Sequence, residues 1–119
     1  MKFDVSLPFS SIPSFERDAG NLVRRYAPES VPVLFGHVGE GNLHLNVLRC
    51  TTEQESEIYP EMMKLIAAHG GNVSSEHGVG SRKRAYLGMS RTPEDIAAMR
   101  TIKNAFDPSG YLNPAVLFD

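Results

Sequence analysis

Val31-Pro-Val-Leu-Phe-Gly-His-Val-Gly-Glu-Gly-Asn-Leu-His-Leu-Asn-Val-Leu48 holds two β-rich runs, 31–38 and 43–48, on either side of Gly39-Glu40-Gly41-Asn42. Glycine and short polar residues between two branched and aromatic runs are a hairpin signal, because a tight turn needs positive φ and glycine supplies it without strain. With Glu40-Gly41 as a two-residue loop, Val38 stands opposite Leu43 and His37 opposite His44. Alternation along the strands then sends Leu34, Gly36, Val38, Leu43, Leu45 and Val47 to an apolar face, and His37, His44 and Asn46 to the other. Directly opposed Cβ atoms lie about 4.5–5.5 Å apart, so the two imidazoles become neighbours able to share one cation.

Working outward, Lys2-Phe-Asp-Val-Ser-Leu7 alternates strictly, with Phe3, Val5 and Leu7 on one side and Lys2, Asp4 and Ser6 on the other; Pro8 ends this half-buried strand. Ser11 to Glu16 carries helix-start chemistry, and Phe15, Leu22, Val23 and Tyr26 extend an apolar stripe as far as Pro28. Thr52 followed by Glu55 resembles a capping box, and Ile58, Met62, Leu65 and Ile66 run helically to a Gly70-Gly71 stop. Asn72 to Ser75 is expected as a short fourth strand leading into the glycine-rich loop Glu76-His77-Gly78-Val79-Gly80. Thr92-Pro93-Glu94-Asp95 opens another helix, whose Ile96, Met99, Ile102 and Phe106 should face inward until Pro108 stops it, and 107–119 is turn-rich. The order over residues 1–76 is therefore β-α-β-β-α-β, an α+β ferredoxin-like antiparallel sheet with two helices on one face, followed by a helix and tail over 77–119. The uncovered face is left to carry function.

The 119 residues, 41% hydrophobic and 22% charged, suit one small globular domain. A net charge of -2 and a pI near 6.1 supply no basic footprint, which argues against nucleic acid or an anionic membrane surface as partner. The one cysteine, Cys50, rules out an internal disulfide and reads as a buried small hydrophobe. The sequence holds no run of about 18 apolar residues and no charged-then-apolar leader, so it reads as soluble, untargeted and cytoplasmic. Met1 stands directly before a strand, an abrupt start expected of a fragment.

The same parity continued into the fourth strand turns Val73 to the core and Glu76 to the open face, making Glu76 a third donor beside His37 and His44. Two imidazoles and one carboxylate suit Zn²⁺, and also Mn²⁺, Fe²⁺ or Co²⁺, with positions left for water or substrate, which is the pattern of an open catalytic site. His77, projecting differently from the loop, is a candidate general base because imidazole titrates near working pH. Lys2 offers a cation to a substrate carboxylate. Plainer readings compete. Histidines often only satisfy local hydrogen bonds; His69 ends a helix, where the dipole favours it. Arg82-Lys83-Arg84 reads as a solvated face that could also attract anions. Glu40 reads as turn chemistry, and Met62, Met63, Met89 and Met99 as core filling.

Gly36-His37-Val38-Gly39-Glu40-Gly41-Asn42-Leu43-His44-Leu45-Asn46 resembles the GHxGDGNxHxN segment of the type-4 FAD-linked oxidases, and Glu76-His77-Gly78-Val79-Gly80-Ser81-Arg82-Lys83 resembles their EHGxGxxK segment. The likeness runs from the Lys2–Pro8 strand to the Asp107–Pro114 segment, with Glu40 standing where the family usually has Asp. The group includes D-lactate dehydrogenases, D-2-hydroxyglutarate dehydrogenase and the FAD subunit of glycolate oxidase. The resemblance implies that His37, His44 and Glu76 hold a divalent metal, Zn²⁺ or Mn²⁺ foremost. It implies that His77 takes the hydroxyl proton of a 2-hydroxy acid while hydride passes to flavin, and that Lys2 and Asn46 touch the substrate. It also implies an FAD held mainly by an N-terminal domain outside this chain. The chain alone should then be inactive, and its open face and tail, deprived of that domain, should self-associate. The competing reading is a free-standing ferredoxin-like module that binds a metal or small acid for regulation.

Overall fold

A computed structural model describes residues 1–118; Asp119, the last residue of the expected turn-rich tail, lies outside the described residues. The elements in chain order are β1 (Lys2–Ser6), α1 (Ile12–Tyr26) after a 3₁₀ turn, β2 (Val31–His37), β3 (Asn42–Leu48), α2 (Thr52–Ala68), the single turn α3 (Gly80–Lys83) and α4 (Pro93–Phe106). The sheet runs β1-β3-β2, all antiparallel, and Ser6 makes one further antiparallel bridge to Asn72 on the outer edge of β1. This is the ferredoxin-like arrangement, but the expected fourth strand contracts to that one bridge. The reason is local: the backbone N–H groups of Ser75, Glu76 and His77 turn to the Asp4 carboxylate instead of to a strand partner.

Phe3, Val5, Leu43, Leu45 and Val47 from the sheet meet Phe15, Ala19 and Val23 of α1 and Ile58, Met62, Met63 and Ile66 of α2 in one core. Burying each of the larger side chains stabilises the fold by about 1.5–3 kcal/mol. Met62 and Met63 fill this core as expected, whereas Met89 is exposed and Met99 and Cys50 are only half-buried. Thr51, not Thr52, is the N-cap of α2. Its extended backbone lets its hydroxyl accept from Gln54 N while the Gln54 side chain accepts from Thr51 N.

The hairpin differs from expectation by two residues. Val38–Glu40 form a 3₁₀ turn closed by Gly41 in the left-handed region, so β2 pairs His37 with Asn42 and Phe35 with His44. Gly41 sets this register: at φ 70° it accepts the Leu7 N–H at 2.9 Å, and a Cβ there would stand 2.2 Å from the Leu7 carbonyl oxygen. At Gly36, with φ 141°, a Cβ would stand 2.4 Å from the Asn42 carbonyl oxygen. A shift of two preserves strand parity, so His37, His44 and Asn46 still share the face opposite Leu43, Leu45 and Val47. Val38 leaves the apolar face and is exposed in the turn.

α4 starts on a Thr92–Asp95 capping box, yet it has no buried residue: Ile96 and Met99 are half-covered, and Ile102 and Phe106 stand in solvent, Phe106 at 84% exposure. Its apolar stripe meets no other described element closely. The tail closes back on it through Asp107, which accepts from Tyr111 N and Leu112 N and pairs with Lys103, while Lys103 Nζ also donates to Leu112 O. No helix among the described residues is long and apolar enough to cross a membrane.

Candidate metal and substrate site

Three cross-strand rows pave the open face of the sheet: Lys2-Asn46-Val33, Asp4-His44-Phe35 and Ser6-Asn42-His37. Asp4 belongs to this polar face yet is only 4% exposed, because the 74–78 loop folds over it. Its Oδ2 accepts from the N–H of Ser75 at 3.0 Å and of Glu76 and His77 at 3.1 Å each, and from Ser74 Oγ at 3.3 Å. Burial alone would push the Asp4 carboxyl up. The N–H groups of His77, Glu76 and Ser75 and the nearby Lys83 charge outweigh it and hold it below the ordinary carboxylate value. Lys83 Nζ donates to the Asp4 carbonyl and stands 3.7 Å from Oδ2, and burial lowers its own pKa against the pull of Asp4.

Above this anchor, His44 and His77 stack with centroids 5.7 Å apart and planes within 17°. The Nε2 atoms of both face Glu76 Oε1, at 3.2 Å from His44 and 3.4 Å from His77. Asn42 donates from Nδ2 to the other Glu76 oxygen, and its Oδ1 is buried without a hydrogen-bond partner. Phe35 leans on the His44 ring from β2. A cleft of about 370 Å³ opens here, lined by Lys2, Asn46, Phe35, His77 and Lys83 as well as the central donors. Another, of about 330 Å³, lies between α1 and the sheet, but its Arg17 and Arg24 are already engaged by Asp18 and Asn21.

The fold thus brings together His44, Glu76, His77, Lys2 and Asn46, and adds Asp4, Asn42 and Lys83. His37 stands apart. It is 70% exposed at the end of β2, and its Nδ1 faces Glu40 Oε2 at 4.0 Å. His69, read as a helix-end residue, does cap α2, and it also bridges to α1 through Ser14 and Asp18. Among the described residues, Asp4, His44 and Glu76 each offer a donor atom within 4.8 Å of the others. His44 Nε2 and Glu76 Oε1 fit a small divalent cation: donors on a tetrahedral Zn²⁺ with bonds of about 2.0–2.1 Å lie about 3.3 Å apart, close to the 3.2 Å between these two atoms, whereas Asp4 Oδ1 stands 4.0 Å from His44 Nδ1.

The family described as FAD linked oxidases, C-terminal domain, matches residues 1–117. The chain belongs to this family. A D-2-hydroxyglutarate dehydrogenase of Stutzerimonas stutzeri (strain A1501) is 36% identical to this FAD-linked oxidase domain over 98% of the chain and 27% of its own length. Another, of Xanthomonas citri pv. viticola, is 38% identical over 99% of the chain and 26% of its own length. The mitochondrial D-2-hydroxyglutarate dehydrogenase of Bos taurus is 39% identical over 95% and 21%. The FAD-linked oxidase domain seen here therefore spans about a quarter of the length of these curated relatives.

Proposed function

We propose that this domain is the substrate- and metal-binding part of an FAD-dependent dehydrogenase that oxidises a D-2-hydroxy acid, with 2-hydroxyglutarate favoured over lactate or glycolate, to the 2-oxo acid. The convergence of His44 Nε2, His77 Nε2 and Glu76 Oε1 on one cleft, with Lys2 and Asn46 beside them, carries the reading. Family membership and relatives named D-2-hydroxyglutarate dehydrogenase support its redox half. His44 and Glu76 are the fixed ligands of a divalent cation, Zn²⁺ or Mn²⁺. His37, by its place in the hairpin motif, would be the third ligand, although its side chain here is exposed and faces Glu40.

Bound there, the cation would supply Lewis acidity at the substrate hydroxyl, and FAD, held mainly outside this chain, would supply the hydride acceptor. The residues of this chain do the rest. The Lys2 ammonium neutralises the substrate carboxylate, the Asn46 amide fixes its orientation, and His77 receives the hydroxyl proton on Nε2 as the Cα–H bond breaks. The 119 residues on their own do not turn over, and the exposed Val31, Val33 and Phe35 on the sheet with Phe106 and Tyr111 at the tail make the isolated chain self-associate. A sedimentation series that stays monomeric at all concentrations would remove that last statement.

The deciding assay places this domain in its full polypeptide with FAD and Zn²⁺ or Mn²⁺, and offers D-2-hydroxyglutarate, D-lactate and glycolate with an artificial electron acceptor. Turnover of at least one, lost in His77→Ala, is the expected result. Inactivity on all three with metal binding intact would overturn the dehydrogenase reading in favour of a metal- or acid-binding module.

A further inference from the structure

We propose that Asp4 is the positioning residue of this site, turning the Nε2 atoms of both His44 and His77 toward Glu76 so that those two nitrogens do the work. The inference deepens the reading above and rests on it. Two carboxylates bracket two parallel imidazoles. His44 Nδ1 faces Asp4 Oδ1 at 4.0 Å, and His77 Nδ1 faces Asp4 Oδ2 at 3.6 Å. The opposite nitrogens face Glu76 Oε1. A fixed anion on the Nδ1 side favours a proton there, which leaves the Nε2 lone pair free: on His44 for a cation, on His77 for a substrate proton.

Asp4 could instead be a metal ligand, since it joins His44 and Glu76 within one donor cluster. Its contacts argue otherwise. Oδ2 is filled by three backbone N–H groups and the Ser74 hydroxyl, with Lys83 and His77 next to it. Oδ1 makes a long contact to Glu76 N at 3.4 Å and faces the His44 ring at Nδ1, not at the Nε2 that Glu76 faces. A carboxylate already holding the backbone of Glu76 and His77 also sets where their side chains begin, so Asp4 fixes both the loop and the rings.

The test uses the ¹⁵N-labelled chain. Without metal, the Ser75, Glu76 and His77 amides should exchange at least about tenfold more slowly than Gly78, although their loop is on the surface. Asp4→Asn should abolish that protection, move the imidazole ¹⁵N resonances of both His44 and His77, and leave the β3 amides of Leu43, Leu45 and Val47 unchanged. With Zn²⁺, the native chain should show His44 bound through Nε2 and protonated on Nδ1, and Asp4→Asn should weaken Zn²⁺ by about 10–100-fold. Unprotected amides in the native chain, coordination through Nδ1, or imidazole resonances indifferent to Asp4→Asn would each overturn the assignment. The amide measurement and the Zn²⁺-bound tautomer need no variant, so a misfolded Asp4→Asn does not rescue it. A native chain that binds no Zn²⁺ sinks the metal reading, while the metal-free resonances still decide the role of Asp4.

Discussion

The hairpin turn at 37–41 and the loop at 74–78 each deliver a motif histidine, but they are held by opposite means. The turn is fixed through its backbone: Gly41 packs against Leu7 and leaves the His37 side chain in solvent. The loop is fixed through a buried charge, with three consecutive N–H groups pinned to Asp4, so that Glu76 and His77 emerge in register with His44. Of the three proposed donors, His44 and Glu76 are therefore placed by the fold and His37 is left exposed. An open site can use such inequality, because preorganised donors define where a cation sits while an exposed one leaves room for exchange with substrate.

Four substitutions sharpen or break this contrast. His44→Ala removes a fixed donor and should weaken Zn²⁺ by more than about 100-fold, beyond the range expected of an outer-shell change; isothermal titration reads it. Gly41→Ala forces a Cβ against the Leu7 carbonyl at positive φ and should cost roughly 1–3 kcal/mol in urea unfolding. Asp4→Asn should cost about 1–3 kcal/mol by leaving loop N–H groups short of an acceptor. It should also change the acid limb. The native carboxyl lies below its unfolded value of about 3.9, so its stabilisation is complete above that pH and is lost as pH falls through the folded pKa. Unfolding measured from neutral pH downward should therefore be steeper for the native chain than for Asp4→Asn. His37→Ala should change stability by less than about 0.5 kcal/mol, as exposed substitutions do. It should weaken Zn²⁺ less than His44→Ala; equal losses would erase the distinction between donors placed by the fold and the exposed one.

Strand faces were legible from sequence because side-chain alternation is a local property: Phe3, Val5, Leu43, Leu45 and Val47 announce the core, and His44, Asn46 and Lys2 the opposite side. Register was not. The loop length is decided by Gly41 against Leu7, a contact between residues distant in sequence, and only the even size of the shift kept His37 and His44 on the expected face. Asp4 was visible only as the polar partner in an alternating strand. Its burial depends on a loop more than 70 residues away, and its place opposite His44 depends on the β1–β3 pairing. Lys83 sat inside a basic run that reads as solvated, and only its reach to Asp4 separates it from Arg82, which lies over the Tyr59 ring. The stripe Ile96, Met99, Ile102 and Phe106 marked a face without saying what covers it, and among the described residues Ile96 and Met99 are only half-covered while Ile102 and Phe106 stay exposed.

The knot of Lys103, Asp107, Tyr111 and Leu112 closes within nine residues of chain. Contacts so short in sequence incur little loop-closure entropy and form on the timescale of the helix itself, ahead of the long-range β1–β3 pairing that the sheet requires. The C-terminal unit thus closes mainly on contacts of its own, with Arg84 tied to the Ala115 carbonyl as well. Phe106 and Tyr111 are carried on a backbone that is already stiff, so burying them against another surface incurs side-chain ordering, about 0.5–1.5 kcal/mol each, with little added cost for the main chain.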